Sequence, residues 1–587
     1  MRTYLHEIVY LMGPDRRRLP MMVLLFLLAS GLDLIGLGLM VPYFYLIMGM
    51  SMEGTKMVEL LAYVGLQDAG RGELLLAMGG VLVGLFFLKG LLGIWSARTI
   101  LKFSQRQQIR LKSVLMNAYQ TIPYTEYLRR NSTEYIHSIQ SQVSSYANAV
   151  VVPLLKVISD GIVAIVILGF LAWHDIIAMT LMVAVFGAVI GIYHWIFRRR
   201  LKLYGQQINQ IARQVGKAVR EGMDGFKEIR ILGREAYFHD EVTKGSDAYA
   251  KAFVNSQTIA AVPRFLLEFL LITFVATLVL VMVQLGRDLQ TLAPILAVFG
   301  MAALRLLPMI NSFSGGLLSL RFQQNTVAEL YKDVVSAFGL RTFDKAKQAA
   351  LPTEKSSDFQ ALRLEHVGFQ YPGTEAPALS NIDLEIHAGE SIGLIGASGS
   401  GKTTLVDVLL GLLEPQYGAI KYNGQPLQRG LSQWRSQVAY LPQQVFLTDD
   451  TLRANVALGE RAEDVDVQRL ELALSNARLS DLVRQLPKGV DTLLGERGVR
   501  LSGGQRQRIA IARAFYFGRS VLVMDEATSA LDNETEQEIV DEIRRLKGQK
   551  TMIVIAHRLS TVTHCDRIYK LDNGRIAQAG TPSQMLG

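Results

Sequence analysis

The sequence predicts an α-helical domain of six membrane spans followed by an α/β domain built around a phosphate-binding loop. Three observations carry this expectation. Long uncharged apolar runs dominate residues 1–320. Short strand-like and helical pieces alternate through the last third of the chain. Between an apolar run, Ser391–Ile395, and a helix-forming run, Thr404–Leu413, lies Gly396-Ala397-Ser398-Gly399-Ser400-Gly401-Lys402-Thr403. This fits G-x-x-x-x-G-K-[ST], the P-loop, in the strand-to-helix context its chemistry needs. Glycines let backbone N–H groups turn onto phosphate oxygens, and a helix N-terminus adds partial positive charge. Lys402 is placed to reach the outer phosphates and the Thr403 hydroxyl to ligate Mg²⁺.

The chain has 587 residues, too many for one ordinary core, and half of them are apolar. Mean hydropathy is positive, as membrane spans require. The net charge of +9 comes from Lys and Arg clustered at span ends, the pattern of cytoplasmic loops rather than of a nucleic-acid face. Cys565 is the single cysteine, so an intrachain disulfide is excluded and a thiolate metal cluster is not expected. It reads as a small buried apolar residue.

The spans follow in order. Arg16-Arg17-Arg18 precedes an apolar run from Leu19 to Met48, too long for a signal-peptide core and so read as an uncleaved first span. Ser51–Glu73 has an acidic balance, and Met57, Leu60, Leu61 and Val64 have helical spacing, which suits a short amphipathic helix on the outer side. Span two covers Leu74–Trp95, and Arg98, Lys102, Arg106, Arg110, Lys112, Arg129 and Arg130 follow it. Spans three and four, Ala147–Trp173 and Ile176–Ile196, flank a very short turn, and Arg198-Arg199-Arg200 closes the fourth. A second long polar segment runs to Ser256 before spans five and six, Ile259–Leu285 and Leu292–Leu320. Basic loops after the second and fourth spans put both termini in the cytoplasm.

The expected domains are therefore residues 1–340 in the membrane domain, a polar linker at 341–357, and 358–587 in the soluble domain. In the latter, Leu362–Tyr371, Val438–Gln443, Val521–Asp525 and Thr551–His557 read as strands of a mostly parallel sheet. Asp572-Asn573-Gly574 reads as a hairpin turn. Val521-Leu522-Val523-Met524-Asp525-Glu526 is an apolar strand ending in two carboxylates. A P-loop ATPase needs such a pair: Asp525 for the Mg²⁺ shell and Glu526 to orient and polarise the attacking water.

With these motifs stands Leu501-Ser502-Gly503-Gly504-Gln505-Arg506-Gln507-Arg508, which resembles the signature motif of ABC transporter nucleotide-binding domains. The other motifs of that family occur in the same order. Tyr371 resembles the aromatic that stacks on adenine. Gln443, in Leu441-Pro442-Gln443, resembles the glutamine that senses the metal and contacts the membrane domain. Ser529-Ala530-Leu531-Asp532 resembles the loop at the dimer interface, His557 the γ-phosphate histidine, and Gly495-Glu496-Arg497-Gly498 a segment that exporters carry. The whole chain resembles an ABC exporter half-transporter. That resemblance implies ATP and Mg²⁺ as cofactors. ATP is then held by Tyr371, Gly396, Ser398, Gly399, Ser400, Gly401, Lys402, Thr403, Thr404 and Asp525, with Thr403, Gln443 and Asp525 around the metal. It implies Glu526, His557 and Gln443 as catalytic residues. It also implies that Ser502, Gly503, Gly504 and Gln505 act on the ATP of a second copy. One chain has one P-loop and one signature, so a two-fold homodimer is expected. Short helices at Pro123–Arg130 and Arg234–Val242 are implied to dock on the ATPase.

Charges inside spans point to what is carried. Lys89, Arg264 and Arg305 lie in spans two, five and six. Lys89 and Arg305 fall about 14 residues from the outer ends of their spans, or roughly 20 Å at the helical rise, in the inner-leaflet half. Arg264 enters from the other side to a similar level. Such a layer suits an anionic headgroup. Structural pairing competes with this reading: Arg264 with Glu268, Lys156 with Asp160, or Asp33 with Lys89. The stretches around Lys89, Ala261-Val262-Pro263-Arg264 and Arg305-Leu306-Leu307-Pro308 resemble bacterial lipid-linked oligosaccharide flippases of N-glycosylation, although lysine stands at 89 where that group has arginine. The resemblance implies a polyprenyl-diphosphate oligosaccharide as substrate, moved across the bacterial inner membrane. A multidrug or lipid A-type exporter is the alternative, and a non-transporting regulatory ATPase the alternative of another class.

Overall fold

A computed structural model describes residues 2–48, 70–130, 132–174, 176–284, 289–348, 358–495, 498–525, 541, 544–555 and 559–586. These fall into two compact units, one of residues 1–121 and 132–341, the other of 122–131 and 342–587. The expected outer amphipathic segment and the tight turns at 175 and 286–288 lie outside the described residues.

In the first unit, the six apolar runs lie in Leu19–Met48, Arg71–Thr121, Val152–His174, Ile176–Asp224, Glu235–Gln284 and Leu289–Phe322. Three of these, Arg71–Thr121, Ile176–Asp224 and Glu235–Gln284, are much longer than their apolar runs, because the polar segments continue the same helices. Among the described residues, three continuous helical stretches meet a spanning criterion of length and apolarity: Thr3–Ile47, Arg71–Thr121 and Glu134–Trp173. Span three is entered through a helical run with π-helical turns at Ser138–Gln142 and Tyr146–Val151. A core at one end of the bundle ties these pieces together. Ile8, Phe26, Leu111, Leu115, Tyr146 and Leu330 are fully enclosed in it. Several buried polar groups there are matched, as groups away from water generally are: Ser104 donates to the Ala147 carbonyl at 2.7 Å, and Tyr119 and Ser138 both donate to Asp333. Helix Gln324–Gln348 follows span six and runs into the segment expected to be linker.

Among the described residues, the second unit holds ten strands. β1 (Ala361–Phe369), β2 (Leu379–His387), β4 (Tyr417–Tyr422) and β5 (Gln425–Pro426) form an antiparallel sheet in the order β2-β1-β4-β5. The strand expected at Leu362–Tyr371 therefore belongs to a separate sheet and not to a single parallel one. β3 (Ser391–Ile395), β6 (Val438–Leu441), β7 (Val521–Asp525), β8 (Thr551–Ile555), β9 (Arg567–Asp572) and β10 (Arg575–Gly580) form the main sheet, ordered β10-β9-β3-β8-β7-β6. It is parallel except for the β9–β10 hairpin, where Asn573 and Gly574 both take positive φ as a two-residue turn demands.

The apolar runs of β3, β7 and β8 are buried on both faces, as parallel strands covered by helices must be. Alternation sorts their side chains into two cores. Leu522, Met524, Met552 and Val554 join the core that holds helix Gly503–Tyr516 and Cys565. Val521, Val523, Ile553 and Ile555 join the core that holds helix Lys402–Leu409 and the antiparallel sheet. The P-loop helix and the signature helix thus lie on opposite faces of one sheet. Trp434 is completely buried and donates from Nε1 to the Leu409 carbonyl at 2.7 Å, satisfying a group at the end of the P-loop helix.

Candidate functional site

The P-loop leaves β3 and enters helix Lys402–Leu409 through two glycines that no other residue can replace without strain. Gly396 has φ +150°, and a Cβ there meets the Leu571 carbonyl oxygen at 2.3 Å; Gly401 has φ +101°, with the Ala378 carbonyl oxygen at 2.8 Å. Between them Ser398 and Gly399 are exposed, while Ser400 is buried and its hydroxyl has no hydrogen-bond partner. The Lys402 side chain folds back over the loop. Its Nζ donates to the carbonyls of Gly396 at 2.8 Å and Ala397 at 2.9 Å. A buried ammonium on two carbonyls, an unmatched hydroxyl and an open glycine backbone together fit a phosphate chain. Thr403 is exposed beside them. Thr404 is buried, and its hydroxyl is 3.3 Å from that of Tyr371. Tyr371 stands edge-on to Phe369 at 5.0 Å, just beyond β1.

Asp525 ends β7, and β6 pairs with β7 in parallel, Leu441 opposite Met524. Gln443 follows β6 and is exposed. The P-loop, Asp525 and Gln443 therefore meet along the carboxyl edge of the parallel strands, where such sheets place ligands. Two residues absent from the motif reading also belong here. Tyr440 on β6 donates to Asp525 Oδ2 at 3.1 Å, and burial followed by the charge of Asp525 pushes its phenol up, so it stays a donor. Asp407 on the P-loop helix has its carboxyl pushed up to about 6, first by burial and then by Asp525. A tyrosine with a half-exposed tip in the run Val-Ala-Tyr-Leu, beside the carboxylate strand, was the signal available for Tyr440.

The segment Ile122–Asn131 groups with this unit. Its short helix Tyr124–Tyr127 brings Tyr124 against the P-loop core, close enough to Asp407 and Tyr371 to be affected by both.

The signature helix Gly503–Tyr516 starts on a capping box. Ser502 accepts from the Gln505 N–H at 3.2 Å, and the Gln505 side chain accepts from the Ser502 N–H at 2.9 Å. Gly504 is buried and Gly503 partly so. Within one chain this helix is held in the core away from the P-loop helix. Glu526, Asp532 and His557 lie outside the described residues, as do Glu496 and Arg497.

Inside the spans, Asp33 of span one is buried between two cations. Arg305 of span six donates from Nε to Asp33 Oδ1 at 2.7 Å, and a second guanidinium nitrogen reaches the same oxygen. Lys89 of span two also pairs with Asp33 Oδ1, and its ammonium lies 5.1 Å from the Phe86 ring centre. Lys89 and Arg305 are thus brought together. The acid that Arg305 lacks within its own helix is supplied from another. The Arg264 side chain lies outside the described set.

Comparison with known proteins agrees with this architecture. The model of the ABC transporter transmembrane region matches residues 21–302, and that of the ABC transporter ATPase matches 379–529. An ATP-dependent lipid A-core flippase of Ralstonia nicotianae is 33% identical over 518 residues, covering 86% of this chain and 84% of that protein. The ATP-dependent lipid A-core flippase of Cupriavidus pinatubonensis is 30% identical over 511 residues, covering 86% and 85%. A bacterial Atm1-family ABC exporter solved with ATP bound superposes with a TM-score of 0.70 over 98% of this chain and 96% of its own, at 22% identity, and so shares the fold. The chain belongs to the ABC transporter family, as an exporter-type half-transporter that couples ATP hydrolysis to translocation across a membrane.

Proposed function

We propose that the chain works as a two-fold homodimer in the bacterial inner membrane and flips a lipid with a phosphorylated saccharide headgroup to the outer leaflet. The observation that carries this is the pair of cations, Lys89 and Arg305, gathered on Asp33 inside the spans. Asp33 answers two cations with a single charge, and a guanidinium suits phosphate oxygens. The names of the relatives favour a lipid A-type substrate over the lipid-linked oligosaccharide expected from the motif resemblance. A polyprenyl-diphosphate glycan remains the second reading, because it presents the same diphosphate chemistry to Lys89 and Arg305.

On the soluble side, Tyr371 stacks on adenine, Lys402 and the Gly396–Gly401 backbone hold the phosphates, and Glu526 orients the attacking water, with His557 at the γ-phosphate. Mg²⁺ supplies charge neutralisation on the phosphates when bound, with Thr403, Asp525 and Gln443 as the residues that hold it. Ser502, Gly503, Gly504 and Gln505 complete the site of the second copy, with Asp532 at the interface. Both termini are cytoplasmic. The second segment expected to dock on the ATPase, Arg234–Val242, is not a separate short helix but the start of helix Glu235–Gln284; the short helix precedes it at Phe226–Leu232, and the exposed Ile231, Leu232 and Tyr237 make this turn the docking candidate.

The test is reconstitution in liposomes with labelled lipid A-core in one arm and a polyprenyl-diphosphate oligosaccharide in the other. ATP-driven loss of one lipid from the ATP-accessible leaflet is expected. ATP hydrolysis that moves neither lipid, with movement of an apolar drug instead, would turn the reading to the multidrug alternative.

A further inference from the structure

We infer that Asp33 sets a charge threshold for the transported headgroup: it is an exchangeable internal anion that only a headgroup with at least two negative charges displaces. This rests on the proposed lipid-flipping site and adds its selection rule.

The argument begins with charge balance. Among the described residues one carboxylate serves two cations, so the cluster as described carries one positive charge in excess. All three nitrogen contacts fall on a single oxygen, Oδ1, so Asp33 answers both cations with one atom. The three side chains are not equally enclosed. Those of Asp33 and Lys89 are 8% and 14% exposed, whereas that of Arg305 is 37% exposed. The guanidinium is therefore the face an incoming anion meets first.

A carboxylate in this position competes with any headgroup that approaches. A zwitterionic lipid brings its own cation and gains little. Asp33 is tethered to its helix, so any headgroup that displaces it leaves that carboxylate buried without its partners, which is costly, and a monoanion brings no more charge than Asp33 to offset that cost. A bisphosphate or diphosphate bears the same cost but brings more charge than Asp33, answers both cations at once and presents several oxygens to the guanidinium fork. Ordinary membrane phospholipids, present in vast excess, are thereby refused. Because Asp33, Lys89 and Arg305 come from spans one, two and six, exchange also loosens a tie between three helices.

The experiment measures ATPase stimulation of the full-length protein in phosphatidylcholine nanodiscs. The probes are lipid A and a polyprenyl diphosphate, both multiply charged, and phosphatidylglycerol, a monoanion. Wild type is expected to respond to the first two and not to phosphatidylglycerol. Asp33→Asn is expected to respond to phosphatidylglycerol as well, narrowing the ratio of half-maximal concentrations by about tenfold or more, as loss of one buried charge contact implies. Asp33→Glu, which keeps the charge, is expected to discriminate as wild type does. Undiminished discrimination in Asp33→Asn overturns the threshold. Loss of every lipid response in Asp33→Asn, matching Arg305→Ala, also overturns it and makes Asp33 a positioning residue. If neither Asp33→Asn nor Asp33→Ser folds while Asp33→Glu does, Asp33 is a structural counter-ion and the inference falls. Lipid responses that survive Arg305→Ala in full fail the proposed function itself, and the threshold with it. If only the Asp33 variants are silent while Arg305→Ala abolishes the response, the function stands and the threshold alone falls.

Discussion

The protein keeps one lysine buried in the P-loop and another half-buried in the spans, and the partners described for the two differ in kind. Lys402 is 6% exposed and rests on two carbonyls of its own loop, five and six residues away. Those two carbonyls are neutral dipoles, which a phosphate chain outcompetes. Lys89 rests on a full negative charge from another helix, shared with Arg305. Displacing that partner takes a stronger anion. The first arrangement suits a site that must bind its nucleotide at every cycle. The second suits a site that must refuse most of what surrounds it.

The largest expected effect is on the nucleotide side. Glu526→Gln keeps shape and loses the base, so turnover is expected to fall by about 10²-fold or more while ATP still binds. Near-normal hydrolysis in this variant removes Glu526 from the catalytic role. Lys402→Ala is expected to lose ATP binding and yet fold, because its carbonyl partners can turn to water.

On the membrane side, Arg305→Ala is expected to lower lipid flipping by at least about tenfold and to lower it more than ATP hydrolysis, since the lost interaction belongs to transport. Lys89 keeps Asp33 paired in this variant, so the protein should still purify as a dimer. Equal losses of flipping and hydrolysis, with poor folding, would instead make the cluster structural and erase the contrast with Lys402.

Ser502→Ala tests a residue with two duties. The cap it forms with Gln505 supports the signature helix, and its removal is expected to cost about 0.5–2 kcal/mol of stability, seen as a lower unfolding temperature. Hydrolysis is expected to stop, because in the proposed dimer the same residue acts on the ATP of a second copy. Mixing Ser502→Ala with Lys402→Ala protein is the sharper measurement. Mixed dimers should regain one working site, and no recovery at any ratio would count against the in-trans geometry.

What could be read beforehand followed sequence distance. The P-loop, the capping box and the Asp572-Asn573-Gly574 hairpin are written in a few consecutive residues, and local geometry decides them. The spans were visible because apolar runs of that length have few other uses. The Arg305–Asp33 contact joins residues 272 apart, and nothing in either helix alone announces it. Tyr440 reaches Asp525 across two strands 85 residues apart, through a register that only the folded sheet defines. The separate antiparallel sheet was missed for a related reason: alternation predicts strands, while pairing partners are set by tertiary contacts.

The smallest expected effect comes from Asp407, and its sign can be worked out. Its carboxyl is raised from 3.8 to about 6 in the folded protein, by burial first and by Asp525 second. A raised carboxyl means the folded state holds a proton that the unfolded state has released. The stability this adds is fully present below pH 3.8 and is lost as pH rises through about 6. At pH 7 Asp407 is therefore a charge kept in an unfavourable place beside Asp525. Asp407→Asn removes that penalty. After solvent screening the gain at pH 7 is expected to be about 1 kcal/mol, shrinking toward pH 4. Thermal unfolding of the full-length protein in detergent between pH 4 and pH 7 reads it directly. The difference in unfolding temperature between variant and wild type should widen as pH rises. A constant difference across that range would mean that Asp407 does not titrate there. Lys402 and Lys89 would then differ in their partners, but the acids around the nucleotide site would not be tuned as the geometry implies.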